Sequence, residues 1–173
     1  MRTNQTSSTL DALEDGSRVF LDASIFVYHF TGSSVDCRLL LEDCERGRFQ
    51  GVTSVLVVTE VTHRLMTIEA LTKGLITPGN PARKLREKPE IVASLHLYQE
   101  QIERIFLMGI SVVGLDLAIF ERAFDFRRRY GLLTNDSILA ATASREGIIN
   151  MASADRDFER VDVLRAFHPS DLF

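Results

Sequence analysis

Short strand-like runs alternate repeatedly with longer segments of helical periodicity along this chain. The apolar run at 19–21 and the predicted strands at about 49–53, 110–113 and 148–151 are each followed by a helical pattern. Continuous apolar runs of this kind are typical of strands that are buried on both faces, as in parallel sheets. The alternation therefore predicts an α/β fold in which helices cover both faces of a mostly parallel sheet.

Acidic residues stand at four of the places where an apolar run gives way to a helical pattern. In parallel folds these turns gather at the carboxyl edge of the sheet, where open sheets bind ligands. Carboxylates brought together there repel one another unless a hard cation such as Mg²⁺ or Mn²⁺ compensates their charge. The layout therefore predicts one metal site built from Asp22, Glu60, Asp136 and Asp155.

Four sequence motifs carry a resemblance to a known family. They are LDAS after the first apolar run, the glutamate in the helix after the second, NDSILAATA, and SADRDF near the end. In their order and spacing they resemble the PIN domain, and the match extends over nearly the whole chain from Val19. The resemblance implies a three-layer α/β/α sandwich with metal-dependent ribonuclease activity. Compact bacterial and archaeal members are often VapC-type toxins of toxin–antitoxin pairs.

The resemblance assigns the family's acids to the same four positions and adds several neighbours. Asp157 matches a further acid of the last motif, Ser24 matches the small polar residue after the first Asp, and Ser153 stands where a Thr or Ser is common. Ala23 departs from the pattern, because many relatives have a hydroxyl residue there. The resemblance implies that this departure weakens one hydrogen bond around the site, whereas the helical insertion at about 71–107 leaves the assignment of the acids unchanged.

Phosphodiester hydrolysis needs a set of residues of this kind. Negative charge develops on the phosphoryl oxygens and a water must attack in line, so Mg²⁺ or Mn²⁺ with oxygen ligands is suited to the reaction. Asp22, Asp136 and Asp155 are the predicted ligands, and Glu60 is an outer ligand or orients the water. Ser24 and Ser153 are expected to orient the carboxylates by hydrogen bonds.

Each acid taken alone also has an ordinary structural interpretation. An Asp near a helix start is commonly a cap, and Glu60 alone could be a solvated helix residue. A phosphoryl-transfer enzyme with Asp22 as nucleophile is a rival function, but no Lys follows any of the late strands. A non-catalytic PIN-like scaffold and a housekeeping PIN nuclease are two further interpretations. The retention of all four acids favours a catalytic protein over a scaffold.

Charge and composition limit the partners. The net charge of −4 and isoelectric point near 5.6 argue against broad electrostatic adhesion to nucleic acid, so an RNA phosphate must be held locally. Basic clusters at 83–88 and 127–129 have solubility or helix-end interpretations as good as RNA contact. The resemblance also implies a cognate antitoxin protein and a homodimer, with the helices at 34–47 and 54–70 as candidate surfaces.

The 173 residues are expected to form a single domain. Residues 1–17 are polar and predict a tail outside the core, residues 18–173 form the PIN-like domain, and a helical insertion occupies about 71–107. Cys37 and Cys44 lie seven residues apart in a predicted helix, beyond disulfide reach, and predict reduced thiols. Without an apolar signal segment or a run of membrane-spanning length, the expected location is the cytoplasm.

Overall fold

The computed structural model describes residues 8–172, and they form an α/β fold around one sheet. Its six strands run parallel in the order β1-β6-β5-β2-β3-β4. This confirms the predicted fold class. The strands are β1 (Ser8–Thr9), β2 (Arg18–Leu21), β3 (Gln50–Ser54), β4 (Ser111–Val113), β5 (Asn150–Ala152) and β6 (Arg165–His168).

Eight α-helices connect and cover the strands in the described part of the chain. Two 3-10 helices, Leu10–Ala12 and Arg156–Arg160, complete the set. Ser34 and Ser54 cap α2 and α3, since each accepts a hydrogen bond from a backbone N–H of the first helical turn. The helices are α1 (Ala23–Phe30), α2 (Val35–Glu45), α3 (Val55–Thr72), α4 (Pro81–Arg86), α5 (Pro89–Ser94), α6 (Leu97–Leu107), α7 (Leu117–Tyr130) and α8 (Thr134–Arg145).

Strand β2 lies at the centre of the sheet, which places its end at the candidate site. Val19, Phe20 and Leu21 are all 0% exposed, and successive strand residues point to opposite faces, so both faces of β2 are covered. From β2 the chain moves to one side through β3 and β4 and returns to the other side through β5 and β6. The carboxyl ends of β2 and β5 therefore meet where the strand order reverses, the usual ligand position in such sheets.

Two sequence predictions differ from the structure at the far side of the sheet. The predicted tail over residues 1–17 includes residues that belong to the sheet and core, because β1 pairs with β6 and Leu10 and Leu13 are 5% and 4% exposed. The sequence also predicts an edge strand near 163–167, but β6 lies between β5 and β1. A two-residue strand in a polar segment has too little pattern to be detected. Residues 1–7 lie outside the described residues.

The sequence predicts a helical insertion at about 71–107, with one helix from Pro89 to about Leu107. The structure has α4, α5 and α6 in this region, and α5 and α6 are separated by a break at Leu95 and His96. Leu95 is buried in a small second apolar cluster with Ala70, Ile76 and Leu85. The interruption thus coincides with the burial of Leu95 in this second apolar cluster.

A buried carboxylate holds the start of α6. His96, at the N-cap of α6, makes no capping bond with its side chain. Glu69 on α3, 3% exposed, accepts hydrogen bonds from the backbone N–H of His96 at 3.2 Å and of Tyr98 at 3.0 Å, and from Lys73 Nζ at 2.6 Å. Burial raises the pKa of Glu69, but these donors outweigh it and lower the pKa to about 2. Glu69 therefore joins the insertion to α3.

The two cysteines are not joined by a disulfide. Cys37 and Cys44 are free and buried, and burial raises their pKa values to about 11 and about 12. This confirms unpaired thiols in the core.

Among the described residues, the structure contains no helix of the length and apolar character needed to cross a membrane.

Candidate metal centre

The turn after β2 presents Asp22 to the site. Asp22 occupies the N-cap position of α1, yet its side chain makes no capping bond. Its Oδ2 atom instead accepts hydrogen bonds from Ser24 Oγ at 2.8 Å and Ser153 Oγ at 2.7 Å. The carboxylate is thus oriented by two hydroxyl groups, one from its own turn and one from the turn after β5.

The same two serines join the turns after β2 and β5. Ser24 Oγ accepts a hydrogen bond from the backbone N–H of Ala154 at 3.0 Å, and Ser153 Oγ accepts one from the backbone N–H of Asp155 at 2.9 Å. Both serines are buried. Because both hydroxyls donate to Asp22 and accept from the backbone of the turn after β5, the positions of Asp22 and Asp155 depend on one another.

Three carboxylates converge beside this network. Asp136 lies in the first turn of α8, and one oxygen each from Asp136, Asp155 and Asp157 lie within 4.8 Å of one another. They are the one group of three or more metal-ligating residues that close together among residues 8–172. The predicted ligand set has Asp22 in place of Asp157, so Asp157 is more central than predicted, while Asp22 borders the group.

Asp136 interacts electrostatically with the four other acids of the site. Burial, together with the charges of Asp155, Asp22, Asp157 and Glu60, raises the pKa of Asp136 to about 6. Because the neighbouring carboxylates oppose the ionisation of Asp136, a cation bound among them would offset their repulsion. The hard oxygen donors of the cluster therefore fit Mg²⁺ or Mn²⁺.

Glu60 is placed by α3 and is coupled to the same cluster. Burial and the charge of Asp22 raise its pKa, while Arg64, 3.7 Å away, and a hydrogen bond from the Asn135 side chain oppose the increase. Sequence reasoning did not include Asn135, although it directly precedes Asp136 in the NDSILAATA motif. It also missed Arg160, whose Nη2 lies 2.5 Å from Asp157 Oδ1.

Charged residues outside the acidic group have structural partners of their own. Asp116 caps α7 by accepting from the backbone N–H of Ile119, and it pairs with Arg145 at 2.5 Å, so its role is that of a helix start. Residues 127–129 form hydrogen bonds or ion pairs with Ser137, Asp125 and Asp162, respectively. Their placement agrees with the helix-end interpretation.

Comparison with known families identifies the fold. The family model of the PIN domain matches residues 19–164, which is most of the chain. The chain belongs to the PIN domain family. Among curated proteins, Ribonuclease VapC2 of Methanocaldococcus jannaschii is 28% identical over 148 residues, covering 86% of this chain and 91% of that protein. Ribonuclease VapC6 of the same organism is 26% identical over 149 residues, covering 86% and 95%.

Solved PIN structures share the fold at lower identity. VapBC2 from Rickettsia felis, solved bound to a DNA fragment from its promoter, has a TM-score of 0.57 and 15% identity over 88% of this chain and 99% of that chain. VapC20 of Mycobacterium tuberculosis, described as a toxin that cleaves the sarcin–ricin loop, has a TM-score of 0.56 and 16% identity, covering 83% and 95%. These likenesses confirm the PIN architecture of this chain.

Substitution of Ser153 by alanine is expected to lower the free energy of unfolding by about 1–3 kcal/mol. The change leaves the backbone N–H of Asp155 without its acceptor and removes one of the two hydroxyl donors to Asp22. Urea unfolding measures the loss, with Ser94→Ala as the exposed control. Equal unfolding free energies for the two variants would contradict the role given to Ser153.

Proposed function

We propose that this PIN protein is a metal-dependent endoribonuclease that hydrolyses RNA phosphodiester bonds. The observation that carries the proposal is the convergence of Asp136, Asp155 and Asp157 within 4.8 Å, beside an Asp22 that two buried serines orient. The names of the curated relatives, both ribonucleases, support the same reaction.

Each acid has a separate role in the proposed reaction. Asp136, Asp155 and Asp157 would hold the Mg²⁺ or Mn²⁺, with Asp22 completing the ligand set directly or through water. The bound ion supplies positive charge to the phosphoryl oxygens and makes an adjacent water more acidic. Glu60, whose pKa is raised by burial and by Asp22, is suited to orient the attacking water and accept its proton.

The proposal extends to a toxin of a type II toxin–antitoxin pair. It rests on the VapC names of the relatives and on structural neighbours that include a toxin–antitoxin complex from Klebsiella pneumoniae. The partner proposed for this chain is an antitoxin that covers the acidic cleft. An Arg inserted among the carboxylates would form charge-assisted hydrogen bonds that desolvation strengthens.

A homodimer and a cytoplasmic location remain predictions. Both predicted dimer surfaces carry exposed apolar side chains: Val35 and Leu39 on α2, and Val55 on α3. A groove of about 530 Å³ extends the α3 surface to Phe106 and Val112. A second copy of the chain would remove this apolar surface from water.

Cleavage of a single-stranded RNA tests the proposed activity. We expect cleavage with Mg²⁺ or Mn²⁺, none in excess chelator, and none for Asp22→Asn with metal present. Asp116→Asn is the matched control, because Asp116 is also an Asp at a helix N-cap but pairs with Arg145 and is not one of the clustered acids. Full cleavage in chelator, or by Asp22→Asn, would contradict a metal nuclease at this site.

Chemical labelling of Asp22 separates a nuclease from the rival functions. In an aspartyl phosphotransferase, Asp22 would react with an acyl-phosphate analogue, whereas a metal ligand would remain unmodified. A scaffold would retain its fold and bind RNA without cleavage under every metal condition. Mass spectrometry of the analogue-treated protein, together with the cleavage assay, distinguishes these cases.

A further inference from the structure

A buried histidine lies behind the metal centre, and neither its sequence context nor the PIN motifs single it out. His168, the last residue of β6, is 4% exposed. Its Nδ1 atom lies 2.6 Å from the carbonyl oxygen of Ser153, and its Nε2 atom lies 3.2 Å from Glu159 Oε1. A carbonyl oxygen only accepts hydrogen bonds, so Nδ1 carries a proton and donates to Ser153.

Strand β6 binds both backbone groups of Ser153. The backbone N–H of Ser153 donates to the Phe167 carbonyl at 3.0 Å, and its carbonyl accepts from His168. Both backbone groups of Ser153 are therefore held by the end of β6. Its hydroxyl group is left to bridge Asp22 and the backbone of Asp155.

The other side of the imidazole faces the 3-10 helix that follows the acids. Nε2 and Glu159 Oε1 are close, but they are not aligned as a hydrogen bond, and neither atom has another hydrogen-bond partner among residues 8–172. Glu159 follows Asp157 by two residues in this 3-10 helix. The imidazole thus lies between the turn that carries Asp155 and the helix that carries Asp157.

We propose that His168 is a positioning residue of the metal centre: through the Ser153 carbonyl it fixes the turn that sets Asp22 and Asp155 relative to each other. This inference rests on the proposed function, since it assumes that these acids bind a divalent cation. Residues that orient the ligands of a metal without binding it affect the metal affinity, and their loss typically lowers that affinity about 10–100-fold.

The proposal predicts the behaviour of three variants. His168→Phe keeps an aromatic ring but loses both nitrogens, and it should bind Mn²⁺ about 10-fold or more weakly. His168→Asn places an amide N–H near Nδ1 and should retain affinity within about 3-fold of the wild type, whereas His168→Gln places it near Nε2 and should resemble His168→Phe.

Calorimetric titration with Mn²⁺ tests this, and the Mn²⁺ concentration for half-maximal RNA cleavage is the second readout. His29→Phe, at a half-buried histidine of α1, is the control for the substitution itself and should bind Mn²⁺ as the wild type does. Circular dichroism establishes that each variant is folded at the temperature of the titration. If His168→Phe is unfolded, the comparison of His168→Asn with His168→Gln decides.

The outcomes separate this inference from the proposed function. Weaker Mn²⁺ binding by folded His168→Phe, with rescue by His168→Asn, supports the positioning role even if no RNA substrate is cleaved. Unchanged Mn²⁺ affinity in folded His168→Phe, or equal affinities of the Asn and Gln variants, overturns it. A wild-type protein that binds no Mn²⁺ overturns both proposals.

Discussion

Replacement of Asp136 by asparagine is expected to abolish RNA cleavage and, at the same time, to stabilise the metal-free protein. The pKa of Asp136 is raised to about 6, mainly by burial and by the neighbouring carboxylates. At neutral pH the ionised group therefore opposes folding, and an uncharged amide of the same shape removes that repulsion. A gain of about 1–3 kcal/mol in the free energy of unfolding follows from a shift of this size.

The sign of the effect defines its pH window. A carboxyl group whose pKa is higher in the folded than in the unfolded protein destabilises the fold fully above about pH 6 and not at all well below its usual pKa of 3.8. The advantage of Asp136→Asn should therefore be present at pH 7.5 and shrink toward pH 4. Thermal unfolding in chelator at both pH values measures it.

Asp125→Asn is the matched control, because Asp125 is an exposed Asp that pairs with Arg128 on α7. It should leave cleavage unchanged and alter stability little, as exposed ion pairs contribute little. Asp136→Asn with wild-type cleavage, or with lower stability than the wild type at pH 7.5, would contradict a negative field shared by the acids.

Substitution of Glu69 by glutamine is expected to give the largest loss of stability, up to about 3 kcal/mol at pH 7. This magnitude follows from the decrease of its pKa from 4.5 to about 2, which Lys73 and the backbone N–H groups of α6 bring about against the cost of burial. The amide of glutamine accepts through one oxygen only, and its NH₂ group would face N–H donors.

The lowered pKa of Glu69 also determines how its contribution to stability changes with pH. A carboxyl group with a lowered folded-state pKa stabilises the fold fully above its unfolded pKa of 4.5, and the contribution is lost as pH falls toward about 2. The difference between wild type and Glu69→Gln in urea unfolding should therefore be large at pH 7 and smaller at pH 3. Glu100→Gln, an exposed position in α6, is the control. A constant difference across this range would contradict the capping role of Glu69.

The sequence predicted most of the fold because its signals are local and repeated. The apolar runs identified β2 and β5, and their alternation with helical patterns predicted the α/β fold that the structure confirms. The signals failed where long-range contacts decide. β1 is only two residues long and exists because β6 offers it an edge, and the break before α6 depends on Glu69, 27 residues away from His96.

The candidate site was likewise predicted only where local sequence signals are enough. The position of each acid after an apolar run is enough to predict that Asp22 and Asp155 lie at one edge of the sheet. Side-chain directions are not encoded in that pattern, so it gives no means to prefer Asp157 over Asp22 in the closest group. His168 has no motif at all, and its contact with Ser153 arises only because β6 lies beside β5.

An anomalous difference map determines whether acids distant in the chain form one divalent-cation site. Crystals grown with Mn²⁺ and measured near the manganese absorption edge should show a peak among the carboxylates of Asp136, Asp155 and Asp157. Crystals of Asp136→Asn grown in the same way should show a much weaker peak or none. Ordered wild-type crystals with these carboxylates exposed to Mn²⁺ and no peak between them would contradict a divalent-cation site there.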